Sequence, residues 1–105
     1  FDVVIVDPPA FIKRRKDFKE GALAYRRLNE MAMQVLERDG LLVSCSCSQL
    51  LSRDVLIQTL LQGSRHLDRN LLILEQGRQG PDHPVPPAIP ETDYLKAVFA
   101  RVLPV

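Results

Sequence analysis

The sequence predicts an α/β domain in which three parallel strands and a C-terminal antiparallel strand carry two helices on one face. Three observations lead there. Val3-Val4-Ile5-Val6 is an unbroken apolar, mostly β-branched run, the composition of a strand buried on both faces of a parallel sheet. Apolar residues then recur at helical spacing before a second strand-like run, and the alternation repeats. Right-handed crossovers between successive parallel strands place both helices on the same side of the sheet.

The first strand ends by Asp7, because Pro8 and Pro9 cannot donate to a ladder. Lys13-Arg14-Arg15-Lys16 follows as a basic loop. Phe18, Ala22, Tyr25, Leu28, Ala32, Val35 and Leu36 then predict a helix from about Asp17 to Arg38. Gly21 weakens its first turns by about 1 kcal/mol relative to Ala, which moves the expected start towards Ala22. Asp39-Gly40 supplies a residue suited to a left-handed cap. The second strand is Leu41 to Ser46, apolar at its start and small and polar at its end. Ser52 is an N-cap, with Asp54 in the first turn of a helix carrying Val55, Leu56, Leu60 and Leu61 and fading near Gly63-Ser64. Asn70 to Glu75 reads as a third strand. Gln76 to Pro90 holds five of the eight prolines and two of the five glycines, so it reads as an extended loop. Tyr94 to Leu103 alternates as a last strand, and the long loop before it permits an antiparallel return.

The chain has 105 residues and a net charge of +1, enough for one small domain. At 46% hydrophobic and 26% charged residues it is unlike a disordered tail. No apolar run approaches the roughly 20 residues of a membrane span. Cys45 and Cys47 are the only cysteines. On a strand their Cα atoms stand about 7 Å apart on one face, which is poor disulfide geometry. This reads as a reduced, cytoplasmic protein rather than a disulfide-stapled secreted one. The first strand begins at the first residues with no lead-in, and it has the composition of a strand covered on both faces. The expectation is that earlier elements lie upstream and that something besides these two helices covers the sheet.

In open α/β sheets, ligands bind beyond the carboxyl ends of the parallel strands. Two segments end there with chemically capable residues: Asp7-Pro8-Pro9-Ala10-Phe11 and Ser46-Cys47-Ser48. Taken singly, Asp-Pro-Pro can be a plain strand terminator, and a buried cysteine is usually an inert small hydrophobe. Together with Tyr25, Leu28-Asn29, Gly40-Leu41-Leu42-Val43, Glu75-Gln76, Arg78-Gln79, Asp82-His83-Pro84 and Tyr94-Leu95-Lys96, they resemble the large-subunit rRNA cytosine-5 methyltransferases. These are class I S-adenosylmethionine-dependent enzymes.

The resemblance runs through nearly the whole chain and implies a partial Rossmann-like class I methyltransferase sheet. It begins at the family's fourth strand, and no glycine-rich cofactor loop occurs here. Residues 1–105 would then be the C-terminal half of a catalytic domain whose cofactor-binding half lies elsewhere. The implied cofactor is S-adenosylmethionine, with Asp7 touching it, and the implied partner is RNA, chiefly large-subunit rRNA. Alone, the chain is expected to be inactive and to self-associate through an unpaired strand edge.

The chemistry accounts for the residue types. Carbon 5 of cytosine is a poor nucleophile until a thiolate adds at carbon 6 and turns the ring into an enamine. An acid at N3 assists that addition, the role the resemblance implies for Asp7. Cys47 is the expected nucleophile, at the rim and ahead of a helix N-terminus. Cys45 competes, because Ser44-Cys45-Ser46 is also Ser-Cys-Ser, but it lies deeper in the strand.

Pro8, Pro9, Phe11, Lys13 and Arg14 are the expected substrate-binding residues. Phe11 would either stack on a base or pack under its loop, and the basic run would either contact phosphate or form a solvated helix start. His83 is either a loop hydrogen-bonder or a base. The alternative activity is amino methylation of adenine N6 or guanine N2 through an Asp/Asn-Pro-Pro-aromatic turn. Ala10, which shifts the aromatic by one position, and the rim cysteine both favour carbon methylation. No metal is expected, since two thiols and the distant His66 and His83 match no usual zinc spacing.

Overall fold

A computed structural model describes residues 1–77 and 95–104. Strands β1 (Val3–Val6), β2 (Gly40–Ser46), β3 (Arg69–Gly77) and β4 (Lys96–Pro104) form one sheet in the order β1-β2-β4-β3. β1 and β2 are parallel, with Val6 opposite Ser44. β4 is antiparallel to both β2 and β3, so the first three strands share one direction and the last strand inserts between two of them. The helices α1 (Phe18–Val35) and α2 (Arg53–His66) lie together on one face.

The core forms between that face and the helices. Val6, Leu42, Val98 and Val102 from the sheet meet Tyr25, Ala32 and Met33 of α1 and Leu56 and Leu60 of α2. Full burial of one such leucine stabilises the fold by about 1.5–3 kcal/mol. The helices touch through Gly63, where an added Cβ would lie 3.0 Å from Cγ of Glu30. α2 therefore does not fade at Gly63-Ser64 but continues to His66, because the small residue there admits α1.

α1 starts at Phe18, ahead of Gly21, after a short 3-10 turn at Arg15–Asp17. Gly21 is needed for a close approach: an added Cβ would meet Cγ1 of buried Ile12 at 2.3 Å and the Phe11 carbonyl at 3.1 Å. The propensity lost at Gly21 is offset by the loop it lets pass. The helix ends at Val35, short of the expected Arg38, where Leu36 turns to extended backbone. The left-handed residue is Asp39, at φ 60°, and not Gly40. Gly40 is instead a packing requirement, since its Cβ would stand 2.8 Å from Leu36 and 2.9 Å from the Glu37 carbonyl.

Ser52 caps α2, its Oγ accepting from the Val55 N–H at 3.2 Å. β3 runs two residues past the expected Glu75, so Gln76 and Gly77 belong to the sheet, paired with Val98 and Ala97. β3 is kinked by an irregularity between Ile73 and Glu75. Residues 78–90 of the expected loop lie outside the described residues, as does Tyr94, and β4 begins at Lys96.

Among the described residues the opposite face of the sheet is exposed along β1 and β3, while Val43 of β2 is buried there. Val3 and Ile5 are 50% and 67% exposed, and Leu72 is 51% exposed. β1 is thus uncovered on one side, although its sequence is that of a strand covered on both.

Candidate active site

The parallel strands β1 and β2 deliver their carboxyl ends to one rim. Because Val6 pairs with Ser44, Asp7 stands level with Cys45, and Cys47 lies two residues farther on. The Asp7 carboxylate is exposed and makes no hydrogen bond or ion pair among the described residues. Cys45 is half-buried on the face of β2 turned away from the helices, opposite Ala97. Burial, and secondarily the Asp7 carboxylate, push its thiol above the usual cysteine range. It is therefore protonated at neutral pH and a poor nucleophile.

Cys47 sits in a different setting. It lines a cleft of about 390 Å³ together with Ala10, Ile12, Lys13, Ser48, Gln49 and Leu50. Its two neighbours turn the other way, towards buried Tyr25. Ser46 Oγ donates to the Tyr25 hydroxyl at 3.0 Å, and Ser48 Oγ shares a hydrogen bond with the same hydroxyl at 2.7 Å. The Ser48 N–H closes the turn on Ser46 Oγ at 3.2 Å. The buried Lys96 ammonium donates to the Ser48 carbonyl at 2.8 Å, partnering a cation that would be costly to bury alone. The turn from Ser48 to Leu51, closed by the Leu51 N–H on the Ser48 carbonyl at 3.2 Å, separates Cys47 from the N-cap of α2.

The two expected catalytic residues thus share a rim but not a cavity. Asp7 borders an apolar groove of about 410 Å³ with Val4, Pro8, Leu28, Met31 and Val35, on the β1 side. Pro8 is buried and Pro9 exposed. Phe11 is half-buried and packs edge-on against Tyr25, with ring centroids 4.9 Å apart. Lys13 is exposed in the Cys47 cleft, while Arg14 pairs with Asp17 at 3.0 Å on the surface. Such a pair contributes at most about 1 kcal/mol. Among the described residues no cluster could hold a metal ion, and His66 is taken up by Glu30 across the helix pair. His83 lies outside the described residues.

Tyr25, Ser46, Ser48 and Lys96 contribute to the family resemblance, but sequence reasoning assigns them no role. The signal that could have found them is the alternation of serine and cysteine: two serines flanking a cysteine on an extended segment must face away from it.

No protein-family model matches the chain. It is 36% identical over 103 residues to "Ribosomal RNA large subunit methyltransferase I" of Erwinia tasmaniensis, covering 98% of this chain and 26% of that protein. The protein of the same name from Escherichia coli O1:K1 is 34% identical over the same span, again 26% of its length. The chain is homologous to this methyltransferase family. It spans about a quarter of the length of these relatives.

Solved structures agree on the fold. The crystal structure of SMU.776, complexed with SAH, superposes with a TM-score of 0.76 at 19% identity, over 95% of this chain and 26% of that one. A methyltransferase homologue from Pyrococcus horikoshii gives 0.65 at 22% identity, over 96% of this chain and 39% of that one. The sheet and its two helices are part of the Rossmann-like class I methyltransferase fold.

Proposed function

We propose that this chain is the C-terminal half of the catalytic domain of a cytoplasmic, S-adenosylmethionine-dependent RNA cytosine-5 methyltransferase acting on large-subunit rRNA. Cys47 is its nucleophile and Asp7 its acid. The observation that carries the reading is the Ser46-Cys47-Ser48 turn: both serines are tied inward to Tyr25, and the cysteine between them lines a cleft beside Lys13. Homology to the ribosomal RNA large subunit methyltransferases I supports it.

This reading gives each residue one end of the substrate ring. N3 and C6 lie on opposite sides of a pyrimidine ring, so acid and thiolate must stand a ring's width apart with a contact at each end. The two residues stand on one rim, Asp7 at the end of β1 and Cys47 just past the end of β2. The Cys47 sulfur adds to C6 while Asp7 lends a proton to N3 and takes it back when the sulfur leaves. Electron density then reaches C5, which takes the methyl group. A base removes the C5 proton, and the thiolate is expelled as the ring double bond re-forms. When bound, S-adenosylmethionine supplies the electrophilic methyl. Asp7 would be the residue of this chain to touch it, and its exposed carboxylate at the end of β1 supports that role.

Nucleoside analysis tests the reading. A complete polypeptide carrying this chain, given large-subunit rRNA and S-adenosylmethionine, is expected to yield 5-methylcytosine. An N-methylated adenine or guanine would replace carbon methylation by amino methylation. The isolated chain is expected to give no product, to show no micromolar cofactor binding by calorimetry, and to self-associate in light scattering. Its β1 edge and exposed Val3 and Ile5 invite that association. A strictly monomeric chain that binds the cofactor would contradict this assignment.

The basic run gives a second expectation. Lys13, Arg14, Arg15 and Lys16 are all exposed next to the rim. Replacing the four with alanine in the complete polypeptide should weaken RNA binding and flatten its salt dependence. On single-stranded RNA the slope should change by about 0.7 for each phosphate that is no longer neutralised. An unchanged slope would make the run a solvated surface only.

A further inference from the structure

Tyr25 is fully buried in α1, yet its hydroxyl lies under the rim. It is the shared partner of Ser46 Oγ and Ser48 Oγ, the residues on either side of Cys47. Ser48 Oγ also accepts from the Ile12 N–H at 3.4 Å, and the Tyr25 ring supports Phe11 edge-on. One phenol therefore holds both loops of the rim: the segment after Asp7-Pro8-Pro9 and the turn that carries Cys47. We propose that Tyr25 is a positioning residue for methyl transfer, its hydroxyl clamping the two serines so that the Cys47 thiol is held towards the cleft. The proposal rests on Cys47 being the nucleophile.

A buried, hydrogen-bonded tyrosine is often only structural, and the two roles make different demands on the kinetics. A purely structural tyrosine affects folding and all of the protein's activities together. A clamp on the thiol affects the covalent step and leaves affinity alone. Tyr25→Phe keeps the ring and its packing against Phe11 while removing the oxygen. Ser46 and Ser48 are then left without their common partner, and the thiol loses its fixed direction. Misplacement of a reacting group by about 1 Å can cost of the order of 100-fold in rate.

The test uses the complete polypeptide with RNA and S-adenosylmethionine under single-turnover conditions. Tyr25→Phe is expected to slow 5-methylcytosine formation about 10- to 100-fold, with the dissociation constant for RNA within twofold of wild type. Ser46→Ala should slow it as well, and the double variant should fall short of the product of the two single effects, because both substitutions remove the Ser46–Tyr25 hydrogen bond. A wild-type rate in Tyr25→Phe, or parallel losses of rate, RNA affinity and melting temperature, would overturn the proposal. If Tyr25→Phe does not fold, Ser46→Ala decides: a wild-type rate there overturns it equally. Failure of the underlying reading is separately visible, since Cys47→Ala would then remain active.

Discussion

Replacing Cys47 with alanine is expected to abolish 5-methylcytosine formation in the complete polypeptide while leaving RNA and cofactor binding within a few-fold of wild type. Without a thiolate at C6 the ring never becomes an enamine, and correct positioning of the substrate cannot compensate for a covalent step that no longer exists. Cys45→Ala is expected to retain activity. Its thiol is held protonated by burial and by Asp7, and it lies on the sheet face rather than in the Cys47 cleft. Losing a half-buried sulfur should cost about 1 kcal/mol or less in stability, read as a small shift in a denaturant midpoint. Inactivity of Cys45→Ala with activity in Cys47→Ala would exchange the two roles.

Asp7→Ala should lower the methylation rate by about 10²- to 10⁴-fold, the usual contribution of a positioned acid. The carboxylate is exposed and joined to no described residue by a hydrogen bond or ion pair, so its removal leaves no buried group unsatisfied. The melting temperature should accordingly stay close to wild type, and the loss should fall on the chemical step. RNA dissociation constants and single-turnover rates check this directly. A rate within threefold of wild type would remove Asp7 from the acid's role.

The strand-helix alternation was legible because periodicity and proline record it in local sequence. Val3 to Val6 ended at Pro8, and Ser52 was readable as a cap from its own chemistry. The insertion of β4 between β2 and β3 was not legible, since strand order depends on pairing across the sheet and no local pattern states it. The glycines misled for a related reason. Gly21, Gly40 and Gly63 are required by neighbours distant in sequence or by tight packing, whereas local propensity treats each as a weak point or a cap.

Asp7 and Cys47 were placed on the rim by strand ends alone. Their separation, and the presence of Cys45 level with Asp7, required the Val6–Ser44 register. Tyr25 looked like one more member of an apolar stripe, because periodicity sees the ring and cannot see where its hydroxyl reaches.

The most direct measurement is covalent trapping. RNA carrying 5-fluorocytosine at the target should form a stable adduct with the complete polypeptide in the presence of S-adenosylmethionine, because fluorine at C5 cannot leave as a proton does. Peptide mass mapping is expected to find the pyrimidine on Cys47 in the wild type and in Cys45→Ala, and to find no adduct in Cys47→Ala. An adduct on Cys45, or full methylation with no adduct at all, would contradict the assignment of Cys47 as the nucleophile.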